Sequence, residues 1–303
     1  MNPIDSPGHA AGVFSHAREE PDTVHLQPHN FADWSAGDPP EQEWLVEGLI
    51  PMGTVTFISG DGGLGKSLLG QQLAMAAALG ASWCGKPVQQ TPSVALFCED
   101  RVDEIRRRAI RISETLNVAR DDPRLNAAHF FCRVGEVNTM MFSTWRGDLH
   151  TGYHYTPLYK ELRAFAHTRQ ARLVLIDSLH DVFTGNENFR PEAKAFVQTM
   201  AHIATVINGA VVVLAHPSQN GLERGSGTSG STAWNNAVRS RLYLTVPDGV
   251  GPGSKTRLLT TVKANYGRAG EKIYLKRRGG AFVAVGKDEV LGAATRVKRV
   301  RRA

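Results

Sequence analysis

The sequence predicts an α/β fold: a mostly parallel sheet flanked by helices, with antiparallel strands added at one edge near the C-terminus. Three observations carry this. Stretches 54–59, 93–98, 173–177 and 210–215 are β-branched and apolar almost throughout, as strands buried on both faces are. Helix-forming stretches separate them, which calls for parallel pairing through crossovers. After His216 the helical stretches stop, and short strand-like segments follow one another at 239–246, 256–263, 272–276 and 282–285.

The chain is organised around Gly60-Asp61-Gly62-Gly63-Leu64-Gly65-Lys66-Ser67, which fits G-x-x-x-x-G-K-[ST], a phosphate-binding loop. A strand-like run precedes it and the good helix formers Leu68 to Ala78 follow it, the context the motif requires. Gly60, Gly62, Gly63 and Gly65 let the backbone wrap an anion with φ values other residues avoid. The loop N–H groups and the helix start, with Leu68 closing the stretch, supply positive potential. Lys66 is expected to reach the β- and γ-phosphates of ATP, and Ser67 to ligate Mg²⁺. The alternative is a glycine-rich turn that matches by accident.

The chain has 303 residues, 42% hydrophobic and 21% charged, enough for one large domain with attachments. No apolar run reaches the length of a membrane span, and Met1 to Asp5 carries no signal-peptide pattern, so a cytoplasmic protein is expected. Cys84, Cys98 and Cys132 are odd in number and widely spaced; they read as buried thiols in a reducing compartment. The charge is unevenly spread. Residues 1–50 hold nine acidic residues and one basic; residues 254–303 hold fourteen basic and three acidic. The basic end points to a polyanion, nucleic acid first, or else to a solvated tail.

In chain order, residues 1–42 read as a flexible acidic arm in which Phe31 and Trp34, with Trp44 just beyond, are apolar anchors. They pack either on this chain's own core or on an adjacent subunit. Residues 43–288 hold the α/β domain. From 102 to 118, Ile105, Ala109, Ile112 and Leu116 recur at helical spacing. A third strand is expected at 129–134. Residues 136–156 read as a hairpin or excursion, and helices are expected at 157–169 and 191–207. Residues 220–231 are rich in Gly, Ser and Thr and read as a loop, and 289–303 form a basic tail.

Four positions at strand ends bear on chemistry. Asp177 closes an apolar strand, the usual place for a carboxylate that orders the Mg²⁺ shell; otherwise it caps a turn. Glu99 closes another and is the candidate to activate water, with Asp100 as its rival and as the better fit to a helix-capping acid. His216 ends a third and is either a γ-phosphate sensor or a satisfied polar residue. Arg239 and Arg241 lie two apart on a strand, so they are expected to point the same way, with Lys263 on the next strand. They are either cations presented to a neighbour's site or solubilising charges at an edge.

The chain resembles the RecA-like ATPases, and more narrowly the RepA type of plasmid hexameric replicative helicase. The resemblance rests on Leu49-Ile50-Pro51, Gly60 to Ser67, Glu99-Asp100, Leu175-Ile176-Asp177-Ser178, Leu214-Ala215-His216, Arg239 followed by Tyr243, and Lys263-Ala264-Asn265-Tyr266-Gly267. It implies that Glu99 is the catalytic base, Asp177 the Mg²⁺ carboxylate, His216 the sensor and Arg239 the finger arginine. Lys263 is then a second cation offered to the neighbour. It also implies channel loops at about 181–190 and 217–230 that touch single-stranded DNA, with Arg190 and Arg224 as basic candidates. Pro217 stands where that family has a second histidine. The expected function is an oligomeric, hexameric-ring, Mg-ATP-hydrolysing motor on single-stranded DNA, a replicative helicase. The alternative is a recombinase-like or regulatory ATPase in which ATP switches assembly without unwinding.

Overall fold

Nine strands form one sheet, and six consecutive members of it run parallel. The computed structural model describes residues 28–34, 37–146, 149–216, 232–251 and 253–290. They divide into two units, one ending at Glu41 and one beginning at Gln42. The first contains helix α1 (Phe31–Trp34), which has no buried residue. The second runs β1 (Trp44–Val46), β2 (Ile50–Pro51), β3 (Val55–Gly60), α2 (Lys66–Leu79), β4 (Ser82–Trp83), β5 (Lys86–Pro87), β6 (Ser93–Phe97) and α3 (Val102–Thr115). It continues with β7 (Ala128–Cys132), β8 (Met141–Arg146), β9 (Leu149–Tyr155), α4 (Pro157–Thr168), β10 (Leu173–Asp177), α5 (Leu179–Val182), α6 (Arg190–Val206) and β11 (Ala210–Ala215). It ends with α7 (Thr232–Ala237), β12 (Ser240–Thr245), β13 (Thr256–Ala264), β14 (Lys272–Arg278) and β15 (Ala281–Val285).

The sheet order is β15-β14-β13-β12-β3-β11-β10-β6-β7. Alternation along the strands divides the core in two. Ala95, Phe97, Leu173, Leu175, Val212 and Leu214 pack with α2 and α3 residues on one face. Val94, Leu96, Val174, Ile176, Val211 and Val213 pack with residues of α4, α6 and α7 on the other. This two-sided burial is the physical reason those strands are apolar without interruption. Helix α2 lies close on the sheet because Gly70 has no side chain: a Cβ there would stand 2.9 Å from a Leu175 methyl and 3.0 Å from a Leu214 methyl. It ends where Gly80 turns left-handed at φ 66° and returns its N–H to Ala76 and Ala77.

Two expectations change, and an alternative left open for Trp44 is decided. Strand β12 is parallel to β3, with Ser240 opposite Thr56 and Leu244 opposite Gly60; only β13 to β15 are antiparallel. A parallel neighbour needs a crossover, and α7 lies on that connection, in a segment whose sequence shows no helical periodicity. Cys132 is only half-buried, unlike Cys84 and Cys98, because β7 is an edge strand. Trp44 packs on its own unit, its ring 3.3 Å from where a Cβ of Gly267 would lie. The 136–156 segment is the antiparallel hairpin β8–β9. No helix among the described residues is long and apolar enough to cross a membrane.

Candidate functional site

The carboxyl ends of β3, β6, β10 and β11 converge, and the strand-end residues named from sequence meet there. The loop after β3 takes its shape from glycine. Gly63 and Gly65 are left-handed at φ 73° and 97°. Gly60 has no room for more, since a Cβ would stand 2.5 Å from the Leu244 carbonyl oxygen. Two distant strands brace the loop: Arg257 on β13 donates through Nε to the Leu64 carbonyl at 2.9 Å, and the Phe282 ring on β15 lies against Gly65. Neither has a sequence signal, because each acts through a fold contact with a main-chain atom.

Lys66, the first residue of α2, is buried, and its ammonium donates to the carbonyls of Gly60 at 2.7 Å and Asp61 at 3.0 Å. It also lies 3.3 Å from His216 Nδ1. Burial lowers its pKa, and the charges of Asp177, Glu99 and Asp61 oppose that. An ammonium can only donate, so Nδ1 of His216 is the acceptor. The neutral ring then carries its hydrogen on Nε2, which is 4.0 Å from Glu99 Oε1. Burial and the Lys66 charge hold the His216 pKa down.

Asp177 is 3% exposed and its Oδ2 is buried without a hydrogen-bond partner. Its side chain is bonded to Ser67. Burial first, and then the charges of Glu99 and Asp100, raise its pKa to about 7. An orphaned carboxylate oxygen beside a hydroxyl, at the foot of a phosphate loop, fits Mg²⁺. That ion takes one or two protein oxygens and fills the rest of its shell with water and phosphate. Among the described residues, no cluster of three or more His, Cys, Asp or Glu is arranged to hold a metal ion.

Glu99 and Asp100 separate by environment. Glu99 is exposed at the cleft and accepts from Ser178 Oγ at 3.0 Å. Asp100 is paired with Arg108 of α3 at 2.5 Å, a structural role through an ion pair rather than the helix cap expected. Ser178 is also within hydrogen-bonding distance of Asp181 Oδ2, at 2.7 Å from its Oγ and 3.2 Å from its N–H, and the Asp177–Ser178 peptide bond is cis. Beside them the His180 ring on α5 lies against the His216 ring, tilted by 30°. His180 and Asp181 escape a motif search because they follow the strand-end acid on a helical turn of only four residues.

The structure does not bring Arg239 and Lys263 to this chain's own phosphate loop. Arg239 bonds through its N–H to Val55 at the start of β3, five residues before Gly60, so it lies about 16 Å away along the strand. Lys263 donates to the Asn235 carbonyl at 2.6 Å, and its pKa is lowered by burial and by Arg239 nearby. The shared orientation expected of Arg239 and Arg241 is wrong. Arg239 precedes β12 and is exposed, so strand alternation does not reach it. Arg241 is 3% exposed, with its guanidinium 3.3 Å from Ser59 Oγ. Arg190 opens α6 rather than sitting in a loop, and Arg224 lies outside the described residues.

Comparison with known proteins agrees with this geometry. A family model described as AAA domain (AAA_25) matches residues 20–221. No curated protein matches the chain. Among solved structures, a KaiC-like protein from the hyperthermophilic archaeon Pyrococcus horikoshii OT3 is similar at a TM-score of 0.54 and 14% identity, over 82% of this chain and all of that one. A RadB recombinase is similar at 0.53 and 14%, over 78% of this chain and 93% of that one. With about two thirds of its length under the family model and a phosphate loop at the carboxyl end of a parallel sheet, the chain belongs to the AAA domain family and is a P-loop ATPase of RecA-like fold.

Proposed function

We propose that the protein is an oligomeric Mg-ATP-hydrolysing motor acting on single-stranded DNA, a helicase of the RepA type in ring form. The observation that carries this is a divided site. Lys66, Asp177, Glu99 and His216 gather at one end of the sheet. The exposed Arg239, with Lys263 beside it, sits about five residues down the strands, away from this chain's own phosphate loop, as a cation offered to a neighbour's nucleotide would. Gly60 to Leu68 hold the phosphates, Lys66 leaves its two carbonyls to bind them, and Ser67 with Asp177 would hold Mg²⁺, which when bound neutralises phosphate charge. Glu99, oriented by Ser178, takes the proton of the attacking water. His216 lies between Lys66 and Glu99 and registers occupancy. Arg239 and Lys263 of a neighbour stabilise transition-state charge. The basic residues from 254 onward, with Arg190 and Arg224, supply salt-dependent phosphate contacts to DNA. The domain boundaries at 42/43 and 288/289 and a cytoplasmic location belong to the same reading.

Mixing inactive Lys66→Ala and Arg239→Ala subunits tests it. Recovered ATPase in the mixture is expected, because some interfaces then hold an intact loop and an intact arginine. Arg239→Ala that retains full turnover by itself would remove the shared site. The likeness to a RadB recombinase supports the second reading, a DNA-binding ATPase that assembles without unwinding. Strand displacement on a forked duplex, with ring or filament seen by imaging, separates the two.

A further inference from the structure

Two imidazoles meet at the phosphate end of the site, after the carboxyl ends of the adjacent parallel strands β10 and β11 and 36 positions apart. The His180 and His216 rings have centroids 5.5 Å apart and are tilted by 30°. His216 is the ring in contact with Lys66, at 3.3 Å, and it faces Glu99 at 4.0 Å. His180 touches neither. Its Nδ1 donates to Glu187 Oε1 at 2.9 Å, and the Glu187 carbonyl accepts from Trp234 Nε1 at 3.1 Å. Trp234 is 1% exposed and packs its ring against Phe57, Phe183 and Phe196. The His180 ring is therefore tethered at its far side to a residue anchored on a rigid aromatic cluster, while its face bears on His216.

We propose that His180 is a positioning residue: clamped by Glu187, it holds the His216 ring in the orientation that presents Nδ1 to Lys66 and Nε2 to Glu99. Without it, the His216 ring would lose its neighbour on that side, and rotation about χ1 and χ2 would be less restricted. The same clamp ties the nucleotide end to α7, since Trp234 of α7 donates through Nε1 to the Glu187 carbonyl. The Glu187 hydrogen bond raises the His180 pKa, which keeps its Nδ1 a donor to that carboxylate. This inference rests on the ATPase reading above for its consequence, but not for its geometry.

The test has two readouts. In nucleotide-free protein, the titration of the His216 Cε1 proton is followed by NMR in wild type, His180→Ala and Glu187→Ala. Lys66, Glu99, His180 and Asp181 are the charges that face this ring. Removing His180 admits water and deletes a like charge, so the His216 midpoint should rise by about half a unit or more. In parallel, turnover and ATP affinity are measured for the same variants and for the double variant. Turnover is expected to fall about tenfold in His180→Ala with KM within about twofold, and Glu187→Ala should add little on top of it. His180→Phe, which keeps an aromatic ring beside His216 and loses the tether, should lie between wild type and His180→Ala. An unchanged His216 midpoint in His180→Ala overturns the proposal. So does a turnover loss matched by equal losses of nucleotide affinity and thermal stability, which would make His180 merely structural. Absence of ATPase in the wild type would instead refute the ATPase reading, and the NMR titration would still decide the role of His180.

Discussion

Replacing Asp177 by asparagine should stabilise the nucleotide-free, magnesium-free protein while removing its response to magnesium and nucleotide. Asp177 is 3% exposed, its Oδ2 has no partner, and its pKa is raised from 3.8 to about 7, mainly by burial. That rise of about three units corresponds to ~4 kcal/mol of lost stability once the group is ionised. The asparagine amide would itself lack a buried acceptor, at a cost of ~1–3 kcal/mol. The net gain is thus ~1–3 kcal/mol at pH 8, several degrees in melting temperature for a domain this size. The sign follows from proton binding. Between the unfolded and folded pKa values the native state holds more protons than the unfolded one, so wild-type stability falls as pH rises from about 4 to about 7, then levels. The advantage of the variant must be absent near pH 4.5 and full at pH 8. Thermal unfolding in EDTA at both values, with and without Mg-ATP afterwards, measures it. A variant less stable than wild type at pH 8, or shifted equally at both pH values, would refute the reasoning.

Three further outcomes follow from the same contacts. Glu99→Gln should lower ATP turnover by a factor on the order of 10² to 10⁴ while binding of a fluorescent ATP analogue stays within a few fold; undiminished turnover would remove the base assignment. Gly60→Ala should cost about 1–3 kcal/mol in urea unfolding, because its Cβ would meet the Leu244 carbonyl oxygen at 2.5 Å, whereas Gly62→Ala, with nothing within 4 Å, should leave stability almost unchanged. Trp234→Ala should cost about 3–5 kcal/mol, since the ring is 1% exposed within an aromatic cluster, and circular dichroism melts would register it as a large fall in midpoint.

The reach of sequence reasoning differs from element to element. Strands β6, β10 and β11 are legible because burial on both faces forces unbroken apolar runs, and the residue that ends each run is then a site candidate by position. That logic finds Glu99, Asp177 and His216. It also favours Glu99 over Asp100, and Asp100 proves to be held in an ion pair by Arg108. The same logic fails at Arg239 and Arg241. Alternation predicts a shared face only inside a strand, and Arg239 lies one residue before β12 begins. It fails again for β12, whose parallel direction depends on a crossover containing α7, six residues with no apolar periodicity to reveal them.

By itself the sequence determined the phosphate loop, the parallel α/β class and the strand-end carboxylates. Each of these is a local matter: a φ requirement met by glycine, an unbroken apolar run where both faces are buried, a charge where such a run stops. Tertiary structure decided which of the later residues share the site and which cannot reach it. His180 reaches His216 across two strand ends, Arg257 and Phe282 brace the loop from nearly two hundred or more residues away, and Arg241 turns inward to Ser59. No periodicity encodes such contacts, because they join side chains whose separation along the chain is unrelated to their separation in space.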